Sequence, residues 1–227
     1  MIGTTDVPYA GDKSSVHISP DEIDYLLKIV NSYFNKKLQA DDIIDSWSGL
    51  RPLLAAPGKS PQTLSRDFSW HLFKSPAPAV AIFGGKITTY RKLSKIIVDT
   101  LRPFLPEMSD SQSEHIILPG GDWNGKTFWD YEKMAQKKYG WLNESLLQRY
   151  LHQYGTRTDD IIKNAQKPAD LGEHFGQTLY QAEVDYLLDE EWAKTAEDIL
   201  MRRTKLGLNA TDSTKSALNY YLKSRKH

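Results

Sequence analysis

Apolar residues recur at helical spacing from Ile23 through Leu26, Leu27, Val30 and Phe34. That stripe predicts an amphipathic helix with one buried face. Its start is well marked. Ser19 can cap it, Pro20 suits the first turn, and Glu22 completes a capping box. The period then changes. Residues 41–47 read as a short extended piece, and 55–62 (AAPGKSPQ) as a loop by composition. SRDFSWHLF and PAVAIF read as two strands joined by a Lys-Ser-Pro turn. Helical spacing returns near Thr88, with Leu93, Ile96, Ile97 and Leu101 on one side. At the beginning of the chain, residues 2–5 read as a short strand entering an Asp-Val-Pro turn. A strand needs a neighbour, so the expectation is a chain that starts inside a sheet.

From 106 to 113 the composition shifts to serine, aspartate and proline, which places a boundary there. Beyond it, HIILPGG predicts one short strand. The remaining pattern predicts helices at about 127–139, 143–154, 157–164, 173–204 in one or two pieces, and 213–224. Asn143 and Asp212 are the expected caps, and Gly155 and Gly207 the expected stops. The first hundred residues therefore look α/β-like with few strands, and the last hundred all-helical. A chain of 227 residues suffices for one large domain or two small ones.

Composition narrows the function classes. Lysine plus arginine balance aspartate plus glutamate at 29 each. Zero formal charge argues against a broad nucleic-acid footprint. The absence of cysteine removes disulfides, thiolate metal sites and thiol nucleophiles. No apolar run approaches the roughly 20 residues of a membrane span. MIGTTDVPYAGD has neither a basic leader nor an apolar core and does not read as a secretory signal. The six histidines are scattered, with no H-E-x-x-H pair to hold zinc.

Two segments carry candidate chemistry. FGGKITTYRKL places Gly84, Gly85 and Lys86 at the mouth of a helix. It fails the G-x-x-x-x-G-K-[ST] phosphate loop, because Val80 and Ile87 stand where glycine and Ser/Thr are needed. No G-x-G-x-x-G occurs in the chain. What remains is a turn whose glycines permit close approach, leading to free amides at the positive end of a helix. A capped turn with a solvated Lys86 explains the same residues. The second segment pairs SGLRPL with SPQTLSRD. Arg51 and Arg66 converging on one pocket would grip a phosphate or carboxylate bidentately. Salt bridges to Asp41, Asp42, Asp45 or Asp67 are the alternative.

Taken in order, IGTTDVPYAGD, DEIDYLL, SGLRPL, SPQTLSRDF, FGGKITTYRKL, LPGG, YG and RRTKLGL resemble the FAD-dependent glycerol-3-phosphate dehydrogenases, from Ile2 to about Leu208. The glycerol-phosphate oxidases share much of the pattern. The resemblance implies the C-terminal half of such an enzyme. Its fold class would be an α+β remnant of a flavoenzyme substrate/FAD-binding domain followed by an all-α C-terminal domain. Residues 1–105 would form the first part, 106–114 a linker and 115–227 the helical domain. The missing partner would be an N-terminal Rossmann half.

Gly84, Gly85, Lys86, Ile87 and Thr88 match the segment that approaches the flavin ring in that family. Arg51 and Arg66 match arginines near the substrate, with Thr89 near the same pocket. Arg51 would meet the substrate phosphate or the charge on the C2 oxygen. It is not assigned as a base, since arginine does not deprotonate in proteins. The implied reaction oxidises sn-glycerol 3-phosphate to dihydroxyacetone phosphate and passes electrons to quinone. The isolated chain is expected to be inactive and not to retain FAD. It is expected in the cytoplasm or peripherally on the cytoplasmic face of the membrane, with self-association through exposed strand edges. Trp47, in place of the family's usual tyrosine, and Leu50, in place of valine, depart from the pattern. Two other readings stay open: a stand-alone docking module from a split gene, and another flavin oxidase on the same scaffold.

Overall fold

A computed structural model describes residues 1–51 and 66–225. The chain divides into two units, Met1–Ile116 and Ile117–His227. In the first, helix α1 spans Pro20–Tyr33. Its capping box forms as the sequence predicts: the Ser19 hydroxyl accepts from the Glu22 amide, and the Glu22 carboxylate accepts from the Ser19 amide at 2.9 Å. Ile23, Leu26, Leu27 and Val30 form the half-buried stripe. Phe34 lies past the helix end and is exposed. Strands β1 (Ser69–Phe73) and β2 (Ala79–Phe83) pair antiparallel, with Ser69 opposite Phe83 and Phe73 opposite Ala79. A 3-10 turn over Ile87–Thr89 leads into α2, Tyr90–Leu101. Leu93, Ile96, Ile97 and Leu101 are its half-buried side.

Two expectations fail in this unit. Residues 2–5 form no strand. They pair with no other strand among the described residues, and Thr5 instead donates its hydroxyl to Glu22 at 2.5 Å. Residues 41–47 are not extended throughout. Ala40–Asp42 is a 3-10 turn, because the Asp42 carboxylate accepts from the Gln39 amide at 2.8 Å and closes the backbone. The loop expected at 55–62 lies outside the described residues.

The second unit is helical. It comprises α3 (Phe128–Lys138), α4 (Glu144–Tyr154), α5 (Thr158–Ile162), a small hairpin of β3 (His174–Gly176) and β4 (Leu179–Tyr180), then α6 (Gln181–Asp189) and α7 (Asp212–Ser224). A π-helical segment, Asp198–Arg203, stands between α6 and α7. All the buried apolar side chains among the described residues belong here, from Ala135 to Leu222. No helix among the described residues is long and apolar enough to cross a membrane.

Asn143 caps α4 as predicted, accepting from the amides of Ser145 and Leu146, and Gly155 ends it. At α7 the cap is Thr211 rather than Asp212; its hydroxyl accepts from the Thr214 amide at 3.2 Å. HIILPGG forms no strand, and Ile116, Ile117 and Leu118 are exposed. The long helical stretch expected over 173–204 opens with the β3–β4 hairpin. Gly172, Gly176 and Gln177 all have positive φ there, which a helix does not allow. Gly207 does not stop a helix; it lies within a 3-10 turn, Leu206–Asn209.

Two devices fix the packing of this unit. Gly155 and Gly120 both have positive φ and stack backbone on backbone; a Cβ on Gly155 would overlap the Gly120 carbonyl oxygen. The Thr156 amide donates to that same oxygen at 3.0 Å. The second device is a buried ion pair. Glu183 on α6 is fully buried and takes both terminal nitrogens of Arg149 on α4, at 2.5 and 2.6 Å. Tyr154 donates to the same carboxylate at 2.5 Å. Arg149 also donates to the hydroxyl and carbonyl of Thr178, between β3 and β4.

Replacing one partner of such a pair strands the other. Arg149→Met should destabilise the helical unit by about 3–5 kcal/mol, read by urea unfolding, and Arg149→Met with Glu183→Leu should recover most of that loss. Alkaline stability should fall through a defined window. Burial, then the Asp159 charge, pushes the Tyr131 hydroxyl up to about 12; burial, then the hydrogen bond to Asp185, pushes Tyr221 up to about 12. The folded state therefore holds these protons more tightly than the unfolded chain, whose tyrosines titrate near 10. Their contribution is intact below pH 10 and is lost as pH rises toward about 12. Thermal melts across that range, with Tyr131→Phe and Tyr221→Phe flattening the loss, check it.

Candidate functional site

The first unit assembles its polar centre from three stretches far apart in sequence. The α1 capping box comes first. Glu22 accepts from Ser19 and also from Thr5, which ties the IGTTD segment to the start of α1. The Thr5 hydroxyl, and after it the Ser19 amide and hydroxyl, hold the Glu22 carboxyl below its ordinary range. The next residue, Asp6, is half-buried. Its Oδ2 accepts from Arg51 Nη1 at 2.8 Å and from Arg66 Nη2 at 2.8 Å. The two guanidinium groups thus meet on one oxygen, with their donor nitrogens no farther apart than twice that distance. Both arginine side chains remain 44% exposed, so the pair is open to solvent.

The glycine turn lies at one end of the β1–β2 hairpin. Ser69 opposite Phe83 is the last pair of the ladder, so Phe68 and Gly84–Gly85 continue beyond it together. Gly84 and Gly85 have φ of 70° and 104°. A Cβ on Gly85 would stand 3.3 Å from the Phe68 Cβ. Arg66 lies two residues before Phe68, in the irregular segment that leads into β1. Lys86, Ile87 and Thr88 are exposed, Ile87 at 88%. Thr89 sits at the N-cap position of α2, but its hydroxyl turns back and donates to the Lys86 carbonyl at 2.9 Å. The first turn of α2 therefore receives no side-chain cap.

The structure brings Arg51 and Arg66 together, as the sequence allowed, through an acid the sequence reading passed over. The sequence offers Asp41, Asp42, Asp45 and Asp67 as partners. Asp6 was legible only as part of an Asp-Val-Pro turn. Its signal lay in IGTTD as a unit: a hydroxyl at Thr5 to anchor and a carboxylate beside it.

The residues at the turn suit the edge of a planar ring system. Two glycines leave the backbone uncovered, Ile87 presents an apolar side chain, and the amides opening α2 are not taken by a side-chain cap. The helical unit offers shallow hollows, among them one of about 340 Å³ lined in part by Arg157, Trp192 and Arg203. Its arginines are already engaged, Arg157 with Asp160 at 2.8 Å and Arg203 with the Glu191 carbonyl at 2.7 Å.

Comparisons with known proteins show what the chain as a whole resembles. Residues 111–223 match the family model described as the C-terminal domain of alpha-glycerophosphate oxidase. The aerobic glycerol-3-phosphate dehydrogenase of Escherichia coli is 40% identical over 98% of this chain and 44% of its own length. The D-erythritol 1-phosphate dehydrogenase of Brucella abortus is 39% identical over 96% of this chain and 43% of its own length. The solved glycerol-3-phosphate dehydrogenase of Bacillus halodurans, complexed with FAD, superimposes with a TM-score of 0.69 at 26% identity. That match covers 98% of this chain and 47% of the solved one. The chain thus spans less than half the length of these relatives.

Gly85→Ala tests the turn itself. With φ at 104° and Phe68 in contact, the substitution should cost about 1–2 kcal/mol. Faster hydrogen exchange of the β1–β2 amides, with the helical unit unchanged, is the expected readout.

Proposed function

We propose that this chain is part of an FAD-dependent glycerol-3-phosphate dehydrogenase and supplies its substrate-gripping part and its flavin-edge part, a reading supported by the similarity to such enzymes. The observation that carries this reading is the convergence of Arg51 and Arg66 on one oxygen, with Arg66 two residues before Phe68, which lies against Gly85 of the glycine turn. The substrate is sn-glycerol 3-phosphate and the product dihydroxyacetone phosphate. Arg51 and Arg66 bind the phosphate, each keeping donors beyond the one it gives to Asp6. Thr89 borders the same pocket.

FAD, when bound, would supply the two-electron acceptor for the hydride leaving C2, the hydroxyl proton passing to a base of the N-terminal half. Gly84, Gly85, Lys86, Ile87 and Thr88 would line its ring edge. Their amides and the positive end of α2 supply fixed dipoles where negative charge develops. Arg51 stays protonated throughout and steadies either the phosphate or the C2 oxygen; it takes no proton. Residues 1–105, the hairpin and α2 included, form the remnant of the substrate/FAD-binding domain. They act with an N-terminal flavin-binding half, without which the chain neither holds FAD nor turns over. The exposed apolar residues of the first unit, Trp70, Ile82, Phe83 and Ile87 among them, support such a covering layer. Quinone is the electron acceptor in this reading, at the cytoplasmic face of the membrane.

The relative named for D-erythritol 1-phosphate favours a second substrate within the same class. Both molecules are polyol monophosphates, so the arginine pair serves either one. Steady-state kinetics of the full-length flavoprotein on the two substrates decide between them. Arg66→Ala should raise KM for the preferred substrate by about 10–100-fold, the worth of one or two charge-assisted hydrogen bonds. An unchanged KM in Arg66→Ala and Arg51→Ala would remove the phosphate assignment.

A further inference from the structure

Asp6 has no role in the proposed reaction so far, yet both candidate substrate arginines depend on it. Each places one terminal nitrogen 2.8 Å from the same carboxylate oxygen. Two like-charged, long and largely solvated side chains do not converge unaided; they repel, and each loses rotamer freedom when fixed. Asp6 offsets both costs at a single point. It is itself held from behind, because the preceding residue is anchored through Thr5 Oγ1 to Glu22 Oε1 at 2.5 Å in the α1 capping box. The chain of support runs from a helix cap, through a hydroxyl, to a carboxylate and then to two guanidinium groups.

We propose that Asp6 is a positioning residue for substrate recognition: it sets the spacing and direction of Arg51 and Arg66 so that one phosphate group meets both forks. This rests on the reading that the two arginines bind the substrate phosphate. Asp6 is also an anion beside an anionic ligand, which weakens attraction. The alignment effect is the larger one here. The site is open enough for solvent and salt to screen the carboxylate, whereas bidentate contacts fail outright when the forks diverge. The bridging oxygen accepts one nitrogen from each arginine and leaves the other nitrogens for substrate.

The test uses the full-length flavoprotein, with bound flavin per chain measured by absorbance as the check on folding. Asp6→Ala should raise KM for glycerol 3-phosphate about tenfold while kcat changes by less than about twofold. Calorimetric affinity for inorganic phosphate should weaken in parallel. Asp6→Glu, which keeps the charge and the acceptor, should restore part of both. In an Arg51→Ala/Arg66→Ala background, Asp6→Ala should raise KM by much less than it does with both arginines present, as a role exercised through those arginines requires. An unchanged or lowered KM in Asp6→Ala, with Arg51→Ala and Arg66→Ala each raising it, overturns the positioning role and leaves the phosphate reading standing. An unchanged KM in the arginine variants overturns both. Should Asp6→Ala lose flavin, Asp6→Asn and Asp6→Glu carry the same comparison: KM rising in Asn and recovering in Glu supports the role, and equal values in the two overturn it.

Discussion

The buried carboxylate of Glu183 is the constraint around which the helical unit is organised. A fully buried acid must be paired and fully hydrogen-bonded or be neutralised. Here it takes a two-nitrogen contact from Arg149 and a third bond from Tyr154. Those two donors lie on α4 and the acceptor on α6, so the register of the two helices is fixed by chemistry rather than by apolar shape alone. Arg149 reaches on to Thr178 and holds the β3–β4 hairpin to the same point. Gln153, on the same helix, donates to the Arg203 carbonyl at 2.9 Å and draws in the π-helical segment. Four elements therefore share one polar centre, and the leucine and isoleucine core closes around it.

The first unit is built on the opposite principle. Its apolar stripes on α1 and α2 are present and correctly phased, but none of their residues is fully buried. Its order comes from local devices: a complete capping box, a five-pair hairpin ladder and a glycine turn. Such devices hold short-range geometry well and contribute little area. Among the described residues its longest-range ion pairs are those of the Asp6 bridge. Where the helical unit uses a buried ion pair to fix a core, this unit uses a half-exposed one to aim side chains outward.

What the sequence made legible follows from range. The capping box at Ser19, the stripes on α1 (short of Phe34) and α2, the centres of the two strands and the Asn143 and Gly155 boundaries rest on residues a few positions apart and appear as read. The errors fall where a competing local bond or a positive φ decides. Asp42 closes a turn that composition read as extended, and Gly172, Gly176 and Gln177 turn a helical pattern into a hairpin. Thr211 displaces Asp212 as cap because both are good caps and only geometry selects one. The strand expected at 2–5 has no ladder partner among the described residues, and periodicity within four residues cannot supply one. At the candidate site, the arginines were legible as chemistry but not as geometry. Their common acid is 45 residues from one and 60 from the other.

That separation bears on why the site is specified at all. A contact closed over so long a stretch must overcome loop entropy, and a solvent-exposed ion pair is worth too little to do so alone. The ends must already be held. Thr5 on the α1 cap holds the Asp6 end, and the hairpin that seats Phe68 against Gly85 holds the Arg66 end. The ion pair is then a consequence of the scaffold, and its value lies in direction rather than in stability. This explains why the recognisable segments of the chain, IGTTD, DEIDYLL, SRDF and FGGK, are dispersed yet act together. Each either supplies a member of the polar centre or fixes the backbone that carries one. A substitution that spared the arginines but loosened the cap or the turn would leave the charges in place and lose their aim.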